Sequence, residues 1–356
     1  MTDLPMPTRL VTAAAPDSTT EPIVRGDLVD RYGRRHRDLR ISLTDHCNLR
    51  CTYCMPAEGV PWLPRTTLLT PEELMRIVRV GLGEGITEVR LTGGEPLLRP
   101  DIVEIVARVA SLTLPGGGHP EVSITSNGIG LARTAAALKD AGLTRVNISL
   151  DTLNPERFHQ LTRRNRLDDV LAGIAAADEA GLSPVKLNAV AMRGVNLDEA
   201  PDLLAWALER GYELRFIEQM PLDAGHTWTR EGMVTAAELH AALATRFSLT
   251  ELPGRGAAPA ERFLVDGGPG TVGIIASVTA PFCGACDRLR LTADGQLRSC
   301  LFSREESDLR TPLREGADDD QLAAIFHRCL AGKLPGHGIN EPGFLQPQRP
   351  MSAIGG

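Results

Sequence analysis

The stretch DLRISLTDHCNLRCTYCMP, residues 38–56, runs a β-type segment straight into three cysteines packed within eight positions: Cys47, Cys51 and Cys54. DLRISLT (38–44) reads as a strand, so the cysteines fall just beyond its carboxyl end, where α/β sheets place their sites. A structural zinc ion wants four ligands, commonly two C-x2-C pairs or one pair plus histidines. The x3 spacing between Cys47 and Cys51 departs from that pattern, and His46, adjacent to Cys47, is badly placed to complete a tetrahedron. A [4Fe–4S] cluster has four iron corners and normally takes four thiolates. Three thiolates leave one iron open to a small molecule.

Outward from this strand, short β-type runs alternate with helical runs up to about residue 221. Strands are predicted at 86–93, 121–128, 143–151, 184–192 and 212–221, after the first at 38–44. Helices are predicted at 71–85, 100–112, 131–142, 168–181 and 197–211. The first helix has Thr70 as its cap and Pro71 at its first helical position. Gly85, Gly142, Gly181 and Gly211 sit where left-handed helix caps belong. Six βα units imply a parallel sheet with right-handed crossovers. A complete barrel needs eight units, so the expected fold is α/β, an incomplete (βα)6 TIM-like barrel.

Strands of a parallel sheet covered on both faces should be apolar on both, and these are not. Period-2 reading groups Arg90 with Thr92, and Ser123 with Thr125 and Asn127. It also groups Asn147 with Ser149 and Asp151, and Lys186 with Asn188. Four successive polar faces point to a wet, ligand-holding lumen, which a partial barrel has room for and a filled eight-stranded one does not.

The chain of 356 residues is 42% hydrophobic and 23% charged, a soluble globular profile. Its net charge of −7 argues against a general nucleic-acid or membrane-surface binder but not against a local basic pocket. No apolar run approaches the ~18–20 residues that span a bilayer. Residues 1–25 lack a secretory pattern and read as a disordered extension. A cytoplasmic location is expected. In a reducing compartment, clustered cysteines suggest metal or redox chemistry. Residues 222–356 break the βα rhythm and read as a smaller appended domain or cap. It carries a second trio, Cys283-x2-Cys286-x13-Cys300, again without an obvious fourth ligand. Arg288 and Arg290 follow Cys286, and a pair of guanidinium forks there suits phosphate or carboxylate. Cys329 reads as an ordinary buried thiol. The proline- and glycine-rich end, EPGFLQPQRPMSAIGG, reads as non-helical, either a loose tail or a strap.

The Cys-x3-Cys-x2-Cys signature resembles the radical S-adenosylmethionine (SAM) superfamily, and LTGGEPLLR (91–99) resembles its Gly-Gly-Glu-Pro motif. The second trio with RLRLTADG and a terminal Gly-Gly is similar to the GTP 3′,8-cyclase family of molybdenum cofactor biosynthesis. The resemblance covers residues ~25–356. It implies two [4Fe–4S] clusters, on Cys47, Cys51 and Cys54 and on Cys283, Cys286 and Cys300, with SAM on the open iron of the first. It implies that a 5′-deoxyadenosyl radical takes the ribose 3′ hydrogen of GTP, yielding 3′,8-cyclo-7,8-dihydro-GTP in a lyase reaction. Position by position, Tyr53, Gly94, Ser149 and Met220 match the family's SAM contacts. Arg40, Arg90, Thr125, Lys186 and the run Arg288, Leu289, Arg290 match its GTP contacts. Asp287 and Leu49 depart from the family's usual Asn and Phe. The family's product passes to cyclic pyranopterin monophosphate synthase. The electron donor is unspecified, and the oligomeric state is open, with a homodimer among the options. The rival readings are a radical SAM peptide-modifying enzyme with an auxiliary cluster, and a zinc-organised binding module.

Overall fold

The computed structural model describes residues 26–355. The extension expected at residues 1–25, and Gly356 of the terminal pair, lie outside the described residues. Six strands alternate with helices: β1 (Asp38–Ser42), β2 (Glu88–Thr92), β3 (Glu121–Ser126), β4 (Arg145–Ser149), β5 (Lys186–Ala191) and β6 (Glu213–Glu218). Between them run α1 (Pro71–Gly83), α2 (Ile102–Ala110), α3 (Leu131–Asp140), α4 (Pro155–Thr162), α5 (Leu167–Glu179) and α6 (Ala200–Glu209). After β6 come α7 (Ala236–Ala244), β7 (Leu249–Leu252), β8 (Glu261–Val265), β9 (Thr271–Ile275), β10 (Arg288–Leu291), β11 (Gln296–Arg298) and β12 (Ser307–Asp308). The chain closes with α8 (Arg310–Arg314), α9 (Asp319–Ala331) and α10 (Met351–Ile354).

All twelve strands form one sheet in the order β12-β11-β10-β1-β2-β3-β4-β5-β6-β9-β8-β7. Strands β1 to β6 are parallel neighbours, β10 adds in parallel beside β1, and β9 adds in parallel beside β6. The outer strands pair antiparallel. The end strands β12 and β7 do not pair with each other, so the barrel is open. Strands from beyond residue 221 therefore extend the barrel sheet at both edges.

Each inner strand sorts its residues by pleat. On one face Leu39, Ile41, Val89, Leu91, Val122, Ile124, Val146 and Ile148 are fully buried in the core shared with the helices. Each such side chain contributes ~1.5–3 kcal/mol of hydrophobic stabilisation. The other face is polar, and parallel register lines it up across strands. Arg40 pairs with Arg290 on one side and Arg90 on the other; Asn147 pairs with Thr125 and Lys186, and Asn188 with Ser149 and Arg215.

Local signals account for most boundaries. Thr70 closes a full capping box with Glu73 ahead of α1, and Gly85, Gly142, Gly181 and Gly211 all hold positive φ just past helix ends. Helix α4 was not expected from the sequence: its eight residues are too short for a clear apolar period, although Asn154 caps it and Pro155 opens it. The carboxyl-terminal stretch is a strap, and it includes the four-residue helix α10, which the proline–glycine reading excluded. Arg349 anchors this strap by pairing with both carboxylate oxygens of Asp294, at 3.0 and 2.9 Å.

Candidate active site

One cavity of about 320 Å³ opens over the polar face of the sheet, and both cysteine trios line it. The first trio sits on the loop after β1. Arg50 Nη1 donates to the Cys47 and Leu49 carbonyls, both at 2.8 Å, and Asn127 Nδ2 reaches Asn48 Oδ1 at 2.7 Å and Cys47 Sγ at 3.9 Å. The Tyr53 hydroxyl donates to Asp151 Oδ2 at 2.8 Å. The turn after β2 packs against this loop so closely that glycine is required. A Cβ on Gly94 would stand 2.3 Å from the His46 carbonyl oxygen, and one on Gly93, where φ is +148°, 2.4 Å from that of Thr44. Glu95, fully buried, accepts from Ser126 Oγ, Asn127 N and Leu97 N. Burial raises its carboxyl to about 7 despite those bonds.

The second trio lies on the segment leading into β10 and just past β11. All six cysteines are free thiols. Burial pushes Cys47 up to about 11 and Cys54 up to about 12, the latter with help from the Cys47 sulfur. Cys51 is raised well above the ordinary thiol range by burial and then by Asp151. Cys286 goes the other way: burial pushes it up, but the Lys333 and Arg288 cations more than offset that. Among the described residues, no three His, Cys, Asp or Glu side chains converge closely enough to ligate one metal ion. A tetrahedral zinc with ~2.3 Å Zn–S bonds needs such convergence. The three thiols of each trio face the shared cavity, and soft thiolates that bind different iron corners are the donors an iron–sulfur cluster takes.

Five guanidinium groups, Arg40, Arg90, Arg215, Arg288 and Arg290, line the same cavity. Burial and the neighbouring Arg40 push Arg90 and Arg290 down to about 9, and burial lowers Arg215 to about 10. Arg90, Arg215 and Arg288 each leave a buried Nε without a hydrogen-bond partner. Asp38 is the acid among them: burial raises its carboxyl, yet Arg40, Arg90, Arg288 and Arg290 together hold it below the usual range. Crowded, under-partnered cations on the inside of a chain with net charge −7 make a site for a polyanion. The strap ends there as well: Met351 and Ser352 line the cavity, and Arg290 Nη1 donates to the Gly355 carbonyl at 2.7 Å.

Comparison with known proteins agrees with this arrangement. Residues 41–207 match the radical SAM superfamily, and residues 212–339 match the molybdenum cofactor synthesis C family. A GTP 3′,8-cyclase of Streptomyces coelicolor is 62% identical over 92% of this chain and 96% of its own length. One from Paenarthrobacter nicotinovorans is 58% identical over 92% of this chain and 97% of its own.

The chain belongs to the GTP 3′,8-cyclase family.

Solved structures of lower identity share the fold of this cyclase family member. Streptococcus suis SuiB is 16% identical with a TM-score of 0.59, over 85% of this chain and 68% of that one. Native anSMEcpe with bound AdoMet is 14% identical with the same TM-score, over 85% and 82%. The full-length identity to cyclases sets aside the peptide-modifying and zinc-module alternatives. Membership of the radical SAM superfamily implies a [4Fe–4S] cluster and SAM.

Most residues singled out in the sequence meet in the cavity: Arg40, Tyr53, Arg90, Gly94, Thr125, Ser149, Met220, Arg288 and Arg290 all line it with the six cysteines. Two do not. Lys186, the first residue of β5, pairs with Glu213 at 2.9 Å, a rung below the cavity floor. Leu289 is fully buried on the apolar pleat between Arg288 and Arg290, so only its backbone is free to meet a ligand. Of the polar-face residues, Thr92, Asn127, Asp151 and Asn188 also line the cavity. Ser123 and Asn147 lie deeper, with Asn147 accepting from Arg215 Nη2 at 2.9 Å. Arg215 itself was missed. The signal was present in part, since period-2 reading of YELRFIEQMP puts Glu213 and Arg215 on one face; strand register then sets Arg215 beside Asn188. Cys329 is buried, as expected. No helix among the described residues is long and apolar enough to cross a membrane.

Proposed function

We propose that this chain is a radical SAM lyase that converts GTP to 3′,8-cyclo-7,8-dihydro-GTP, the first step of molybdenum cofactor biosynthesis. The observation that carries this reading is a single cavity shared by two incomplete cysteine trios and five arginines. Cys47, Cys51 and Cys54 would hold one [4Fe–4S] cluster, and Cys283, Cys286 and Cys300 a second. The first, with SAM bound, supplies the 5′-deoxyadenosyl radical chemistry. Gly94, Ser149, Met220 and the Tyr53 backbone are assigned to SAM. Gly94 suits this role because only glycine lets its turn lie against the Asp45 and His46 carbonyls beside the first trio, and the Tyr53–Asp151 bond steadies the loop that carries the trio.

Arg40, Arg90, Arg288 and Arg290, with Arg215 added from the structure, are assigned to the GTP triphosphate; their mutual repulsion is relieved when an anion enters. Thr125 and the Leu289 backbone are placed as neutral contacts, and Lys186 as a second-rank cation that must leave Glu213 to reach the nucleotide. The enclosed lumen keeps solvent and other hydrogen donors from a reactive carbon radical. The chain divides near residue 221, with 26–221 carrying the SAM half and 222–356 the second trio. The reading extends to a cytoplasmic enzyme whose product passes to cyclic pyranopterin monophosphate synthase, with a separate electron donor. The test is anaerobic incubation with SAM, GTP and dithionite followed by mass analysis of the nucleotide. The cyclised nucleotide with one 5′-deoxyadenosine per turnover is expected; GTP recovered unchanged beside cleaved SAM would refute the assignment.

A further inference from the structure

Behind the second trio lies a buried chain of charged groups that no substrate contact uses. Lys333 follows the end of α9 and is 2% exposed, yet it is absent from the cavity lining. Its Nζ has three acceptors within reach: the Arg288 carbonyl at 2.8 Å, His36 Nδ1 at 3.5 Å and Cys286 Sγ at 3.8 Å. An ammonium has three N–H donors, so the three contacts match a protonated lysine. For His36 Nδ1 to accept, its proton must sit on Nε2, which lies 3.1 Å from Asp30 Oδ2. The Asp30 carboxylate also accepts from Arg34 Nε at 2.6 Å and from the Tyr32 and Arg34 backbone. Arg34 in turn donates to the carbonyls of Cys283, Leu334 and Pro335 at 2.7, 2.8 and 3.1 Å. The segment before β1 thus pins both the second cysteine loop and the turn that carries Lys333.

On the first trio the donors to sulfur are neutral, Leu49 N at 3.5 Å and Asn127 Nδ2 at 3.9 Å from Cys47 Sγ, whereas Cys286 meets two cations, Arg288 at 3.8 Å from the lumen side and Lys333 from behind. Hydrogen bonds and positive charge at a ligand sulfur favour the reduced, more negative form of an iron–sulfur cluster and raise its potential.

We propose that Lys333, held by His36 and Asp30, is a positioning residue that donates to the Cys286 sulfur and sets the reduction potential of the second cluster. The inference rests on the second trio carrying a cluster, and the test separates the two. Wild-type, Lys333→Met and Lys333→Gln holoenzymes are reconstituted anaerobically, their iron counted, and both clusters titrated with dithionite while followed by electron paramagnetic resonance. The SAM-responsive signal identifies the first cluster and the GTP-responsive signal the second. In Lys333→Met the reduced-to-oxidised ratio of the second cluster at its wild-type midpoint falls about tenfold, a negative shift of ~59 mV for one electron. Lys333→Gln, which keeps a neutral donor, falls between. The first cluster stays at its wild-type midpoint in both. Wild type holding only about four iron atoms would refute the second cluster itself. With about eight iron atoms in each protein, an unshifted or positively shifted second cluster overturns the role of Lys333. Loss of only the second cluster's iron from both variants also overturns it, by making Lys333 an assembly residue.

Discussion

Replacing Gly355 by alanine tests how closely the strap packs against β1 and β2. Gly355 has φ +83°, and a Cβ there would lie 2.2 Å from Thr92 Oγ1 and 3.4 Å from Ser42 Cβ. Left-handed backbone costs an alanine ~1–2 kcal/mol. Thr92 is 1% exposed and has little room to yield, so overpacking adds ~1–3 kcal/mol. Against this stands the 2.7 Å bond from Arg290 to the Gly355 carbonyl, worth ~1.5–3 kcal/mol for a charged donor. Taking midpoints, the strain exceeds the bond by ~1.3 kcal/mol, so the docked end of Gly355→Ala is depopulated about ninefold. The Arg349–Asp294 anchor upstream keeps the rest of the strap in place. The assay is carboxypeptidase digestion of the folded protein followed by mass analysis. Wild type should resist trimming from residue 355 inward, Gly355→Ala should be trimmed there several-fold faster, and Gly355→Ala with Thr92→Ala should recover part of the protection. Equal resistance in wild type and Gly355→Ala would refute the tight fit at Thr92.

Three further substitutions separate the parts of the site. Cys51→Ser should abolish SAM cleavage, whereas Cys283→Ser should retain some uncoupled cleavage and lose GTP turnover; normal GTP cyclisation by Cys283→Ser would rule out a role for the second trio. Arg90→Met should act with opposite signs. Removing a buried cation whose Nε has no hydrogen-bond partner and which Arg40 repels should stabilise the ligand-free chain by ~1–4 kcal/mol in urea unfolding, while GTP affinity falls tenfold or more by equilibrium binding. Unchanged GTP affinity would remove Arg90 from the nucleotide site. His36 offers a pH test. Burial, and next the Lys333 cation, lower its pKa from 6.5 to about 4, so the folded chain refuses a proton that the unfolded chain accepts. The stabilisation is complete above pH 6.5 and is lost as pH falls toward 4, at ~1.4 kcal/mol per pH unit. Glu95, raised to about 7, titrates in the same window with the opposite sign. The measure is therefore the difference between wild type and His36→Gln in urea unfolding from pH 7.5 to 5.5, which should change by ~1.4 kcal/mol per pH unit below pH 6.5.

The barrel was legible because its signals are local. Capping at Thr70, glycines past the helix ends and the alternation of β-type and helical runs each depend on a few neighbouring residues. The polar lumen was legible for the same reason: a strand's pleat repeats every two residues, so Arg90 with Thr92 and Asn147 with Ser149 declare a face without knowledge of their neighbours. The cysteine spacings carried the chemistry, since three thiolates in a short loop after a first strand must leave an iron-bound position unfilled.

Depth, edge order and long-range electrostatics were not legible in this way. Lys186 and Asn188 share a pleat, but only strand register puts Lys186 against Glu213 below the cavity and Asn188 on its wall. Residues beyond 221 break the βα rhythm because β9 and β10 are joined by a loop segment and not by a crossover α-helix. Their pairing with β6 and β1 is a non-local choice made by the sheet. Lys333 and His36 stand 297 positions apart in the chain, and nothing near either one announces the other. The sequence by itself determined which residue types are available and which face of each strand they share. The tertiary structure alone decided which of them meet, because contact between distant segments depends on how strands order and how far each rung sits along the barrel.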